Sequence, residues 1–395
     1  MNLEAIQSAL RDAGHDGWLF YDHHHRDPLA ASILDLDPKA HITRRWYYFV
    51  PAKGEPRKLV HRVEQGRLDS LPGSKGVYSS WQELAVGVQA MLGGARRIAM
   101  QYSPNNEIMY VSMVDAGTVE FLRGLGKQVV SSADLVSQFE AVLDEKQTAS
   151  HAVAQKAIDE ILAECWKEMG SRLRPVSGAK KSNGLTEFEM VQWLSKAMKR
   201  EGLTWENGPN VSANENSSDS HYEPTADHTA PIKAGDFVLI DIWGRIDQPG
   251  TVFYDITWTG VVGREPSERE QQVFETVRNA RDAAIRAVES AYEEGRTISG
   301  FEADDAARSV IRKAGFGDYF THRTGHNIGR ELHGPGAHLD NLETHDERRV
   351  LPCTCFSVEP GIYLPEFGVR SEVNMMTSPE KAWVTGKIQT ELVRI

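Results

Sequence analysis

Five side chains in the second half of the chain are of the types that bind hard or borderline divalent ions. His326 lies in Thr324-Gly-His-Asn-Ile-Gly329, and Glu359 lies in Ser357-Val-Glu-Pro-Gly-Ile-Tyr363. Asp241 closes the apolar run that begins at Phe237. Asp255 sits in Phe253-Tyr-Asp-Ile-Thr-Trp258, and Glu372 ends Gly368-Val-Arg-Ser-Glu372. Four carboxylates balance the charge of two divalent ions, and one imidazole completes a set that suits a shared two-metal cage. Without metal the same carboxylates would repel one another, and some would have to bind protons. Oxygen-rich coordination favours manganese, with cobalt, zinc or iron also accommodated.

Such a cage needs rigid elements, and strands hold side chains more firmly than loops. The sequence predicts strands over 237–243, 252–260, 325–329, 354–359 and 369–377. Along 253–259 the residues alternate, so Asp255, Thr257 and Thr259 share one face while Tyr254, Ile256 and Trp258 share the other. Thr186-Glu-Phe-Glu189 and Ser267-Glu-Arg-Glu270 have capping-box spacing and predict helix starts. Further helices are expected over 144–170 and 301–314. The first part of the chain reads as a layered α/β unit. Its expected elements are a helix over 3–13, a strand over 16–21, a hairpin formed by 46–50 and 58–61, and a strand over 97–100.

The 395 residues exceed one ordinary core, which predicts two domains, 1–145 and 150–395. A net charge of −12 speaks against nucleic acid as a partner. No apolar stretch approaches the roughly 18 residues of a membrane span, and the first residues lack the basic and apolar regions of a secretory leader. Three cysteines, Cys165, Cys353 and Cys355, make an odd count that fits a reducing cytoplasm better than a disulfide framework. Cys353 and Cys355 are read as packing residues behind the site. His23-His-His25 is read as loop, because consecutive side chains in extended backbone cannot all point one way. His338 and His345 are expected at the surface.

The motifs together, Gly-His-x-Ile-Gly…His, Val-Glu-Pro-Gly-Ile-Tyr and Gly-Val-Arg-x-Glu after two strand aspartates, resemble the Xaa-Pro peptidase family of prolidases and aminopeptidase P. The resemblance covers about 220–375. It implies a pita-bread catalytic fold, with a creatinase/prolidase-type N-terminal α/β domain resembled more weakly by residues 1–145. It further implies that Asp241, Asp255, His326, Glu359 and Glu372 bind two metals, with Asp255 and Glu372 bridging them. A hydroxide between the metals would be the nucleophile, and Glu359 would shuttle its proton. His221 and His333 match histidines that contact substrate, and Arg370 and Tyr363 match positions that support the proton relay.

The chain departs from the family in three places. Asp241 and Asp255 are fourteen apart, a longer gap than usual. His333 is followed by Gly-Pro-Gly336 rather than Glu, and Glu372 by Val-Asn374. Substrate preference is therefore left open between Xaa-Pro dipeptides, longer Xaa-Pro peptides, and a non-proline amide or other small substrate. An inactive binding module of the same fold is a further reading, which the intact ligand set opposes. The resemblance also implies a homodimer in which the loop Tyr21–Pro28 limits the length of substrate at the partner's site.

Overall fold

Apolar spacing at Ile6, Ala9 and Leu10 buries one face of the first helix, and Asn2 caps it by accepting the Ala5 N–H. The same logic builds the rest of the first unit, Met1–Glu140, in the computed structural model, which describes residues 1–174 and 185–395. Its elements are α1 (Leu3–Asp12), β1 (Gly17–Asp22), α2 (Pro28–Ile33), β2 (Trp46–Pro51), β3 (Arg57–His61), β4 (Ser74–Tyr78), α3 (Trp81–Leu92), β5 (Arg97–Met100), α4 (Ala116–Gly124), β6 (Gln128–Ser131) and α5 (Ala133–Val136). The strands form one mixed sheet in the order β4-β3-β2-β1-β5-β6. The 46–50 and 58–61 hairpin is present as the antiparallel pair β2–β3. Separate apolar clusters cover the two faces of this sheet, one around Trp18, Trp46 and Tyr48, the other around Tyr47, Leu59 and Ile98.

The turn after β1 is held by Asp22, whose Oδ1 accepts the N–H groups of His23, Arg26 and Asp27. Asp27 then caps α2 by accepting the Ala30 N–H at 2.8 Å. Burial pushes the Asp27 carboxyl up to about 7, against the pull of that backbone bond. A native pKa above the unfolded value means that folding favours the protonated form. Stability from this group is complete below about pH 4 and is lost as pH rises toward 7. Asn caps a helix as well as Asp does and carries no charge. Asp27→Asn is therefore expected to stabilise the protein by about 2–4 kcal/mol at pH 8 and to add little at pH 4, at ~1.4 kcal/mol per pKa unit. Denaturant melts at the two pH values check this, and an equal gain at both would refute it.

The second unit, Ala141–Ile395, holds the remaining elements. They are α6 (Glu145–Leu173), β7 (Leu185–Thr186), α7 (Glu187–Arg200), β8 (Leu203–Thr204), β9 (Asn210–Ala213), β10 (Pro231–Ile232), β11 (Phe237–Ile246), β12 (Tyr254–Val261), α8 (Glu268–Glu293), α9 (Gly300–Lys313), β13 (Asn327–Ile328), β14 (Cys355–Val358), β15 (Gly361–Tyr363), β16 (Gly368–Arg370), β17 (Val373–Thr377), β18 (Ala382–Thr385) and β19 (Val393–Arg394). Both expected capping boxes form, Thr186 with Glu189 and Ser267 with Glu270.

The hairpin β11–β12 is joined by β8, β9 and β19, while β13-β14-β17-β18 make a second sheet and β15–β16 a two-stranded ribbon. Helices α6 and α7 bury one apolar cluster against Val238, Ile240, Ile242 and Ile256. Helices α8 and α9 bury another against Phe356, Val358, Val369 and Val373. The strand expected over 369–377 is broken. Gly368–Arg370 pairs with β15, whereas Val373–Thr377 pairs with β14, so Ser371 and Glu372 lie where the chain changes partners.

Candidate metal centre

The hairpin register places the two aspartates. Asp241 stands opposite Thr257, and Asp255 stands opposite Trp243. Residues two apart on a strand share a face, so Asp241, Thr257 and Asp255 project to the same side, away from the cluster that buries Ile240, Ile242 and Ile256. The backbone of Asp255 is fixed by Asn374, which accepts its N–H at 2.9 Å and donates to its carbonyl at 2.7 Å. The departure Val-Asn374 thus has a role, since one carboxamide accepts through Oδ1 and donates through Nδ2 at the same time.

Glu359 follows the end of β14, and its N–H bonds the Thr324 carbonyl at 2.7 Å. Glu372 lies at the break between β16 and β17, and its N–H bonds the Thr257 carbonyl at 3.1 Å. His326 precedes β13, and its N–H bonds Ser357 Oγ at 2.9 Å. Gly325 before it must be glycine, because a Cβ would collide with the Ser357 carbonyl.

Ligand-type atoms of Asp255, His326 and Glu372 all lie within 4.8 Å of one another. Their exposures are 5%, 2% and 1%. His326 Nε2 is 3.3 Å from Glu359 Oε1 and 3.6 Å from Asp255 Oδ2. Asp241 joins through Arg370, whose guanidinium donates to Asp241 Oδ2 and, from Nε, to Thr257 Oγ1 at 3.0 Å. Thr257 Oγ1 in turn donates to Glu372 Oε2 at 2.8 Å.

The electrostatics are those of crowded acids. Burial, with the charges of Asp241 and Glu359, pushes the Asp255 carboxyl well above its usual range. Burial and the charge of Asp255 do the same to Glu372. Burial holds His326 below the ordinary histidine value, so its imidazole is neutral. Burial also opposes the charge on Arg370, but Tyr363, Asp241, Glu359 and Glu372 keep its guanidinium protonated.

Three buried carboxylate oxygens, Asp241 Oδ1, Asp255 Oδ1 and Glu372 Oε1, accept no hydrogen bond among the described residues. Unpartnered buried acceptors are costly, and divalent cations would satisfy all three. The donor set therefore fits the metals that the resemblance implies.

Around this cluster, the His333 ring packs edge-on against His326 with centroids 4.2 Å apart. His326 and burial lower His333 to about 2. The His221 side chain is exposed. Gly334 and Gly336 donate to Asn327, to its carbonyl at 2.8 Å and its Oδ1 at 2.9 Å. A Cβ on either would strike the Asn327 carboxamide, which accounts for Gly-Pro-Gly after His333.

His322 was not anticipated. Its Nδ1 bonds the Arg323 carbonyl at 2.7 Å, which fixes the tautomer and leaves Nε2 to accept from the Tyr363 hydroxyl at 2.7 Å. Arg370 donates to the same hydroxyl at 3.1 Å. The one available signal was its position in Thr321-His-Arg-Thr-Gly-His326, four residues before a ligand candidate. His338 corrects the surface expectation. It is fully buried, its Nδ1 accepts the Asn327 N–H at 3.0 Å, and its own N–H bonds Asp346 at 2.8 Å. His345 is exposed as expected. Cys355 is buried on β14 among Val252, Ile328 and Met376, whereas Cys353 lies in the preceding turn at φ 60°.

Comparison with known proteins agrees with this construction. The sequence model of metallopeptidase family M24 matches residues 145–379. A Lactobacillus helveticus protein named Xaa-Pro dipeptidase is 35% identical over 163 residues, which is 41% of this chain and 40% of the relative. A Pyrococcus furiosus protein of the same name is 33% identical over 163 residues, 41% and 43% of the two chains. The chain spans about half the length of the curated relatives it matches. The crystal structure of dipeptidase PepE from Mycobacterium ulcerans superimposes with a TM-score of 0.68 at 24% identity, covering 100% of this chain and 96% of the other, which shows a shared fold. The pita-bread architecture, the motif segments and the matched span establish that the chain belongs to metallopeptidase family M24.

Proposed function

We propose that this protein hydrolyses short peptides with proline after the scissile bond, Xaa-Pro dipeptides first among them. The observation that carries the reading is the cluster of unpartnered carboxylate oxygens around the neutral His326. Asp241, Asp255, His326, Glu359 and Glu372 would hold two divalent ions, with Mn2+ best matched to the oxygen-rich set. When bound, such ions polarise the scissile carbonyl and acidify the attacking water.

The protein's own groups supply the rest. Glu359, its Oε1 already accepting from Ser357 Oγ at 3.0 Å, takes the proton of the attacking water and passes it to the leaving amine. His333, neutral at physiological pH, donates an N–H to the developing oxyanion, and His221 helps orient the substrate. Tyr363 and Arg370, tied to His322 and Asp241, hold the acid cluster in place and carry the proton relay.

The finer part of the proposal is a cytoplasmic two-fold homodimer, in which the loop Tyr21–Pro28 of one protomer closes the pocket of the other. The names of the two relatives, Xaa-Pro dipeptidase, support the substrate class. Two measurements cover both levels. With Mn2+ present, Xaa-Pro dipeptides are expected to be cleaved at least about 10-fold faster than the same sequences extended by further residues. That is a modest share of the discrimination that pocket contacts supply. Sedimentation is expected to show a dimer. No metal-dependent cleavage of any Xaa-Pro peptide would refute the activity, equal cleavage of long and short peptides would refute the length limit, and a monomer would refute the assembly.

A further inference from the structure

Glu187 is a carboxylate that the proposed reaction does not use, and it is fully buried at the start of α7. Its oxygens accept from the Ala213 N–H at 2.7 Å, the Ala230 N–H at 2.7 Å, the Tyr222 hydroxyl at 2.7 Å and the Asn216 carboxamide at 3.0 and 3.2 Å. These donors come from the end of β9, from the segment after it, and from the residue next to His221. A buried charge is tolerated only where its hydrogen bonds are all made. A carboxylate that gathers so many charge-assisted bonds fixes its donors firmly in turn.

We infer that Glu187 is a positioning residue which, through Tyr222, sets the place of His221. The inference rests on the reading of the site given above. Three observations point the same way. Tyr222 is 6% exposed, so its ring is locked by packing as well as by its hydroxyl, while His221, one residue earlier, is exposed. The loop is pinned again on its near side. Ser217 Oγ accepts the Gly368 N–H at 2.8 Å, and the Ser218 hydroxyl donates to the Leu364 carbonyl. Asp219 Oδ1 accepts the His221 N–H at 3.0 Å. These ties reach β16 and the turn before it, which carry Arg370, but among the described residues only the Tyr222–Glu187 bond anchors the chain directly after His221 to a helix. A histidine that must meet a transition state needs such support, because a misplacement of about 1 Å can cost about 10²-fold in rate.

Tyr222→Phe isolates the link, since it leaves Glu187 its other donors and keeps the ring. With Ala-Pro and Mn2+, this variant is expected to lose about 10-fold in kcat/KM, a fraction of the misplacement cost, with bound metal and Tm unchanged. His221→Ala should lose more. The double variant should match His221→Ala alone, because residues acting through one another are not additive. A second readout does not depend on turnover: the His221 ring NMR signal, assigned by its disappearance in His221→Ala, should shift in Tyr222→Phe and in Glu187→Gln. The inference is overturned if the two losses multiply, if Tyr222→Phe acts only by lowering Tm, if His221→Ala is as active as the wild type, or if the His221 signal stays in place. If the wild type leaves Ala-Pro intact, the activity reading fails instead, and the ring signal still decides the placement of His221.

Discussion

Asp255→Asn is expected to empty the metal centre. Asp255 lies at its middle, within reach of His326 and beside Glu372, and one of its oxygens has no donor among the described residues. A carboxamide offers one acceptor, no charge, and N–H groups turned toward neighbours that need a cation. Metal affinity should fall by more than the roughly 10–100-fold that removal of an outer-shell partner costs, and peptide hydrolysis should fall with it. The fold should survive, because the backbone of Asp255 keeps its two bonds to Asn374 and its place opposite Trp243. The neutral side chain also relieves the repulsion that pushes Glu372 upward. The metal-free variant is therefore expected to be at least as stable as metal-free wild type. Elemental analysis after dialysis, with melting curves with and without Mn2+, checks both halves. A variant that retains two metals would remove Asp255 from the ligand set.

His333→Ala should behave in the opposite way. The ring touches His326 but sits on the exposed side of the cluster, outside the group of carboxylates. Metal content is expected to stay at the wild-type level while turnover drops about 10²–10³-fold, the loss that follows removal of one oxyanion donor. A pH profile adds a sharper check. The neighbouring His326 holds His333 down to about 2, so its protonation should not limit the rate near neutrality. Loss of metal from this variant, with turnover per bound metal unchanged, would make His333 a support for His326 instead.

What could be read in the sequence was local. The two capping boxes need only residues three apart, and both helices start where Thr186 and Ser267 place them. Most ligand candidates were visible because they lie near glycine, proline or an alternating strand pattern that constrains their own neighbourhood, and Asp241 because it closes an apolar run. What was hidden depends on partners far along the chain. The strand break at Ser371 and Glu372 arises because Arg370 pairs with Gly361 while Val373 pairs with Val358. His338 is buried because Asn327, eleven residues earlier, needs an acceptor for its N–H. Asn374 departs from the family pattern, and its carboxamide brackets the backbone of Asp255, 119 residues away. Single-residue patterns carry no trace of such pairings.

The hairpin that carries Asp241 and Asp255 has a consequence for how distant relatives are compared. Which side each carboxylate faces is decided by parity: Asp241 meets Thr257 across the ladder, and Asp255 is two steps from Thr257. Residues 245–253 lie beyond the last paired rung of that ladder, so their number does not enter the parity at all. The count of residues between the two aspartates is thus the wrong ruler for this site. A fixed-spacing pattern would discard chains whose tip is longer or shorter, although their acids meet in the same place. The invariant to search for is the cross-strand pairing, read from either end of the hairpin inward.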